Sequence, residues 1–290
     1  MKRVFVTLTW ILTATLICSA QTTFYYPHVA NGVLGAFTWK TTILLTNPAS
    51  SGTASGTITF TRDNSTLGLA GSPLAITLTD EGGVVSTSSV VTFSLPAGGT
   101  HKLVSSGAGQ YAGGFATVST TTGTVSGTAI FSEFDSAGNL VGEAGVPSAS
   151  GSLGQAVFVD TIGGYGIGVA YANPGGGSAH VTLNLLNSSA AMVASTTQIL
   201  GSGNHTSKFT SEFFTTPLAP VAGTMQIVSD APLAAIALRF DPTLSKFTTL
   251  PPVTLASLVN PAIEWLQERP WLTPLSSLAR LLGSLQFRIG

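Results

Sequence analysis

Apolar and polar residues alternate with a period of two along most of this chain. Gly56 to Thr61 (GTITFT), Val90 to Leu95 (VVTFSL) and Ala179 to Leu186 (AHVTLNLL) show it most plainly. Successive side chains of a strand point to opposite faces, so alternation marks a strand with one face buried. Further strands are read at Phe24–Pro27, Trp39–Thr46, Leu74–Thr79 and Thr100–Val104, then at Ala156–Val159, Ile167–Ala172, Met192–Leu200, His205–Phe209 and Phe247–Leu250. Gly, Pro, Asn and Asp punctuate them. Asn47-Pro48 and Asn173-Pro174 each end a strand, because proline has no N–H for a ladder and asparagine favours a turn.

One longer unit occurs twice. Gly114 to Phe131 (GFATVSTTTGTVSGTAIF) and Gly223 to Phe240 (GTMQIVSDAPLAAIALRF) both open with Gly, run through an alternating segment, break at small polar residues and close on Phe. The pattern predicts a β-hairpin in each. With the surrounding landmarks it divides the chain into a β-sandwich domain over 21–147, a Ser/Gly/Ala linker over 148–154 and a second β-sandwich domain over 155–253. The first repeat carries extra residues at roughly 63–84, expected as an added hairpin or long loop. Ser211 to Phe214 is expected to make a helical turn before Pro217. From residue 254 to 290 the texture changes: Leu255, Leu258, Val259, Ala262 and Leu266, then Leu275 to Leu285, form apolar stripes at helical spacing, which predicts a short helical tail. Pro270 and Pro274 interrupt it before the roughly 20 apolar residues that a membrane span needs.

The N-terminal residues 1–20 read as a signal peptide. Lys2 and Arg3 precede an apolar stretch, and Cys18-Ser19-Ala20 supplies the small residues of a cleavage site. The chain is therefore expected outside the cytoplasm, secreted or at the cell surface. Its single cysteine would leave with the signal, so no disulfide staples the mature protein and apolar burial must hold it. Without Lys2 and Arg3, nine basic residues face twelve acidic ones, a net charge of about −3. That balance offers no basic stripe for nucleic acid and no polybasic patch for anionic lipid.

Catalytic signatures are absent: there is no G-x-S-x-G, HExxH, P-loop or paired CxxC. No catalytic, cofactor or metal residue is assigned. Glu133 and Asp135 could be paired for hydrolysis or calcium, but Asp135 opens the turn DSAGN and reads as a turn residue. Asp80-Glu81 before Gly82-Gly83 reads the same way. His28, His101, His180 and His205 are scattered; His101 and His205 follow corresponding turns and read as structural. Arg239 reads as a surface ion pair or a contact between domains. The run Gly164-Tyr165-Gly166-Ile167-Gly168 reads as a strand that allows close approach. Asn64, Asn187 and Asn204 begin N-x-S/T triplets.

Several pieces together resemble a tandem repeat of secreted bacterial proteins: Asn173-Pro174, Leu95-Pro96-Ala97-Gly98-Gly99, Val228-Ser229-Asp230, Pro232 to Phe240 and Thr248 to Pro251. The resemblance covers residues 24–253 and leaves out the tail. It implies immunoglobulin-like sandwiches serving as accessory or surface modules, with no catalytic residues to carry over. The expectation is an all-β, exported, non-catalytic protein with a structural, adhesive or protein-binding role, whose partner is a protein or glycan at the cell surface. A carbohydrate-binding module is the alternative, with Trp39, Tyr111 and Tyr165 as candidate glycan contacts, and a hydrolase with an unrecognised site is a further one.

Overall fold

The computed structural model of the chain describes residues 22–63 and 71–255. The residues expected to form a signal peptide, the Asn64 triplet and the segment beyond residue 255 expected to be helical lie outside the described residues. Within them the protein is all-β. In chain order the first half runs β1 (Thr23–Leu34), β2 (Phe37–Thr46), β3 (Ala54–Arg62), β4 (Ile76–Asp80), β5 (Val85–Ser88), β6 (Val90–Leu95), β7 (Thr100–Ser105), β8 (Ala112–Thr122), β9 (Ser126–Phe134) and β10 (Leu140–Pro147). The second half runs β11 (Ser152–Asp160), β12 (Gly166–Ala172), β13 (Ala179–Asn187), β14 (Met192–Leu200), β15 (His205–Phe209), β16 (Ala222–Phe240), β17 (Phe247–Leu250) and β18 (Val253–Thr254). One 3-10 turn, Thr210–Glu212, stands at the place where sequence predicted a helical turn.

All pairings between these strands are antiparallel. The first half lays β6-β3-β8-β1 in one sheet and β5-β4-β7-β2-β9-β10 in the other, with Gly32–Leu34 of β1 crossing over to pair with β2. The second half lays down β14-β13-β16-β11-β18 and β15-β12-β16-β17. Strand order is the same in both halves, with β1, β2, β3, β6 and β7 taking the places of β11, β12, β13, β14 and β15. The extra residues of the first half form the hairpin β4-β5, which extends the sheet beyond β7.

The two predicted hairpins are not hairpins. β8 pairs with β1 and β3, whereas β9 pairs with β2 and β10, so the two lie in opposite sheets. In the second half there is no turn at all. β16 is one strand of 19 residues whose Gly223–Ser229 belongs to one sheet and Ala234–Phe240 to the other. Pro232 lies between the two stretches and lacks an N–H for a ladder, which suits a point where pairing changes partners. The linker is also tighter than its composition suggests: Ala149 exchanges two backbone hydrogen bonds of 2.8 Å with Tyr25 of β1. At the other boundary, Val253 and Thr254 still pair with β11, and the Leu255 N–H donates to the Gly154 carbonyl.

Equivalent residues do equivalent work in the two halves. Asn47 and Asn173 are buried. Asn47 Nδ2 donates to the carbonyls of Leu95 (3.0 Å) and Gly52 (3.2 Å). Asn173 Nδ2 donates to those of Leu200 (3.0 Å) and Gly177 (2.8 Å). Each Oδ1 accepts the N–H two residues on, so each Asn-Pro is an Asx turn that also ties down the end of a distant strand. Gly114 and Gly223, the residues that open the repeated unit, are a second pair. A Cβ at either would overlap a carbonyl oxygen of the neighbouring strand, that of Thr61 or of Leu186.

We expect Asn173→Ala to lower the unfolding free energy by about 1–3 kcal/mol, because buried carbonyls lose their donor. Asn173→Asp should cost at least as much, since it keeps the acceptor and loses the donor. Chemical denaturation of the three proteins measures both.

Candidate functional site

The sequence of β16 changes character halfway. From Gly223 to Ser229 buried and half-buried residues alternate, but Leu233 to Leu238 are buried without a break. β12 likewise buries Val169 to Ala172, and β1 buries Tyr26 to Gly32. Unbroken burial means that both faces of a strand are covered. One face of the sheet β15-β12-β16-β17 packs inside its own half, through Ile167, Val169, Tyr171, Ala235 and Ala237. The other face is pressed onto the first half: Leu238 and Phe247 belong to the same apolar cluster as Ile43, Ala129 and Phe131, with Trp39 and Phe240 packed against it. Trp39 and Phe131 stack at 4.7 Å, and Phe247 lies within 6.0 Å of Trp39, Phe131 and Phe240.

Between these surfaces lies a cavity of about 370 Å³. Its walls come from both halves. The first contributes His28, Trp39, Tyr111, Phe131 and Val146; the second contributes Gly168, Ala170, Phe209, Ile236, Leu238 and Phe240. The glycine-rich run explains the room available. Gly166, Gly168 and Ala170 alternate along β12 toward this face, and a Cβ on Gly168 would meet Phe240 Cε2 at 3.2 Å. The close approach predicted for this run therefore involves aromatic and leucine side chains rather than a second backbone. Ser207, Lys208 and Glu212 bring the polar groups. Glu212 is held in place, because its carboxylate accepts the Phe209 N–H at 2.6 Å.

Polar side chains are also buried where the halves meet. His28 Nδ1 lies 3.4 Å from His205 Nε2, with the rings stacked at 5.4 Å, and His205 Nδ1 lies 3.9 Å from Asp63 Oδ2. Burial pushes His28 down to about 4, against the pull of the Asp63 carboxylate. Burial and then the neighbouring His28 push His205 well below its ordinary value, while the Pro27 backbone acts in the opposite sense. Burial, then Asp63, raises the Tyr111 hydroxyl. His28 and His205, scattered in the sequence, are thus buried side by side.

Of the three candidate glycan contacts, Trp39 and Tyr111 are half-buried and line the cavity, so they converge on one place without forming an exposed row. Tyr165 lies apart, beneath Arg239, whose guanidinium sits 3.5 Å from the ring centre and 3.2 Å from Asp160. Glu133 is buried, with its carboxyl raised by burial, and Oε2 finds no hydrogen-bond partner among the described residues. Asp135 is no partner for it: its oxygens accept from Ala137 and Asn139 within the turn. Asp80 caps its own turn in the same way, through Gly82 and Val84. Glu81 instead accepts from the Lys102 N–H and from His101, which hold it down to about 2. Among the described residues no group of three or more His, Cys, Asp or Glu could hold a metal ion, and no helix is long and apolar enough to cross a membrane. No family model matches the chain, and no curated protein or solved structure compared with it is similar.

The buried imidazoles set a pH dependence. Both are neutral when folded at neutral pH, and once unfolded they take up protons near pH 6.5. Their contribution is thus complete above that pH and is lost as pH falls from about 6.5 toward 4. Between pH 7.5 and 5.0 the unfolding free energy should fall by about 2 kcal/mol from His28 alone. Glu133, raised when folded, acts in the opposite sense in every variant. Denaturation midpoints of the wild type and of a His28→Gln/His205→Gln double variant at the two pH values check this: the double variant should lose much less.

Proposed function

We propose that this is an exported, non-catalytic protein of two immunoglobulin-like sandwiches, derived from one by duplication, that acts in structural or protein-binding roles at the cell surface or outside the cell. The observation that carries the reading is the shared apolar cluster of the two halves, in which Leu238 and Phe247 of the second complete the core of the first. Such a joint makes one stiff body out of two modules, which suits a spacer or presenting surface. The identical strand order and the paired roles of Asn47 with Asn173 and Gly114 with Gly223 support the duplication.

Protein binding is supported by β14. It is an edge strand of nine residues without a charge or a proline, and Met192, Val193 and Ile199 are exposed on it. Edges of this kind accept further strands unless something blunts them. The non-catalytic part is supported by seven acidic groups, Asp80, Glu81, Asp135, Asp160, Asp230, Asp241 and Glu212, which are engaged in turns, caps or ion pairs; Glu133 Oε2 is not so engaged. A glycan platform has less support, because Trp39 and Tyr111 are turned into the joint.

Two measurements test the reading. Expressed with its own N-terminus in a bacterial host, the protein should be recovered outside the cytoplasm with a mass lacking roughly the first 20 residues. The purified protein should also leave chromogenic esters and glycosides unchanged. A cytoplasmic product of full mass would overturn the export, and turnover above buffer that disappears with Glu133→Gln would overturn the non-catalytic assignment.

A further inference from the structure

We propose that the cavity between the two halves is a binding site for an uncharged, ring-bearing apolar molecule. The site goes beyond the structural role argued above and does not depend on it. Its volume of about 370 Å³ falls in the range of small-molecule pockets, which occur preferentially where two domains meet. Trp39, Tyr111 and Phe131 face Phe209 and Phe240 across it, so a flat ring would find aromatic walls contributed by both halves. Water would be poorly held in the apolar interior, because an ordered water needs two to four polar partners. His28, the imidazole on the wall, already has His205 against its Nδ1.

Three features set this space apart from imperfect packing. Gly168 and Ala170 keep its floor low in a sheet whose neighbouring positions are filled by Ile236, Leu238 and Phe240. Leu34 of the first half and Leu244 of the second stand at the lining with 55% and 47% of their surface exposed, giving an apolar entrance built from both sides. Leu244 also holds a left-handed backbone, φ 56°, which a leucine adopts only at a cost. That strained turn is fixed by Asp241, whose Oδ1 accepts the N–H groups of Ser245 (2.8 Å) and Lys246 (3.1 Å). It sets the Leu244 side chain over Gly166, where a Cβ would come within 2.9 Å of Leu244 Cδ2.

Charge decides the class of ligand. Lys208 and Glu212 are the charged residues of the lining, and they carry opposite signs, so the site has no net preference for an anion or a cation. A neutral molecule whose apolar ring system lies between the aromatic walls, with any polar group toward Ser207, satisfies the lining.

The neutral dye N-phenyl-1-naphthylamine tests this with the full-length protein. It should bind saturably at one site per chain, with a Kd in the micromolar range, and the anionic analogue 1-anilinonaphthalene-8-sulfonate should bind more weakly. Ala170→Phe fills the floor and should weaken the dye by about tenfold or more. Leu244→Gly removes the entrance side chain while suiting the left-handed backbone; it should fold as well as the parent and bind about threefold or more weakly. Val85→Ser, on the exposed strand β5 and outside the lining, should bind like the parent. Absence of saturable binding overturns the proposal. So does undiminished binding in Leu244→Gly and in a folded Ala170→Phe, an equal loss in Val85→Ser, or tighter competitive binding of the sulfonate.

Discussion

The centre of the sheet β15-β12-β16-β17, where β12 lies against Leu233–Leu238 of β16, has no face left for solvent, and that constraint sets the composition of everything around it. A sheet buried on one side can alternate large apolar and polar residues. A sheet buried on both must be apolar throughout, yet it must leave space on each side for the layer beyond. The chain meets this with small residues. Ala234, Ala235 and Ala237 on β16, and Gly166, Gly168, Ala170 and Ala172 on β12, carry little bulk. Ile167, Val169 and Tyr171 fill one side, whereas Leu238, Phe240 and Phe247 reach out from the other. The two halves thus share one continuous stack of layers.

Most of the strand layout was legible because it depends on local chemistry. Alternation, Asn-Pro stops and glycine turns are properties of a few residues in sequence, and the strands they mark are present; the insertion of the first half, expected as a hairpin or a long loop, is a hairpin whose second arm, β5, those signals did not mark. Connections were harder to read. The segments Gly114–Thr120 and Val125–Phe131 look like the arms of a hairpin, but whether two adjacent strands pair or separate into facing sheets depends on the partners waiting at their edges, here β1 and β3 for one and β2 and β10 for the other. β10 was missed as a strand because its LVGEAGVP carries two glycines and little periodicity; it is held by pairing with β9. The joint, by contrast, leaves a local trace. Pro232 to Phe240 departs from the alternation of most strands, and its run of six apolar residues from Leu233 to Leu238 in an otherwise half-polar protein signals a second buried face.

The candidate site was legible only in fragments for the same reason. Trp39 and Tyr111 were singled out as aromatic, and the glycine run as permissive, but nothing in the sequence says that they meet. Their juxtaposition is a product of the packing between halves, in which positions 39, 111 and 168 belong to strands or loops brought together by two different sheets. The pairing of His28 with His205, 177 positions apart, is equally invisible to any local pattern.

Small residues on a twice-buried sheet and a cavity beside it are two consequences of one requirement. Alanine and glycine let the layers approach, as where Phe247 meets Trp39 at 6.0 Å. Beside His28, Tyr111 and Val146 the same small residues line an unfilled space. A larger side chain at Gly168 or Ala170 would close it, recovering contact energy that packing at native density ordinarily supplies. The buried imidazole pair beside the space is a second local cost, because burial strips neutral His28 and His205 of their hydration. Two unfavourable features, adjacent and both formed from residues of the two halves, are what a joint shaped around a ligand would carry, whereas a joint shaped for stability alone would be filled with leucine and phenylalanine.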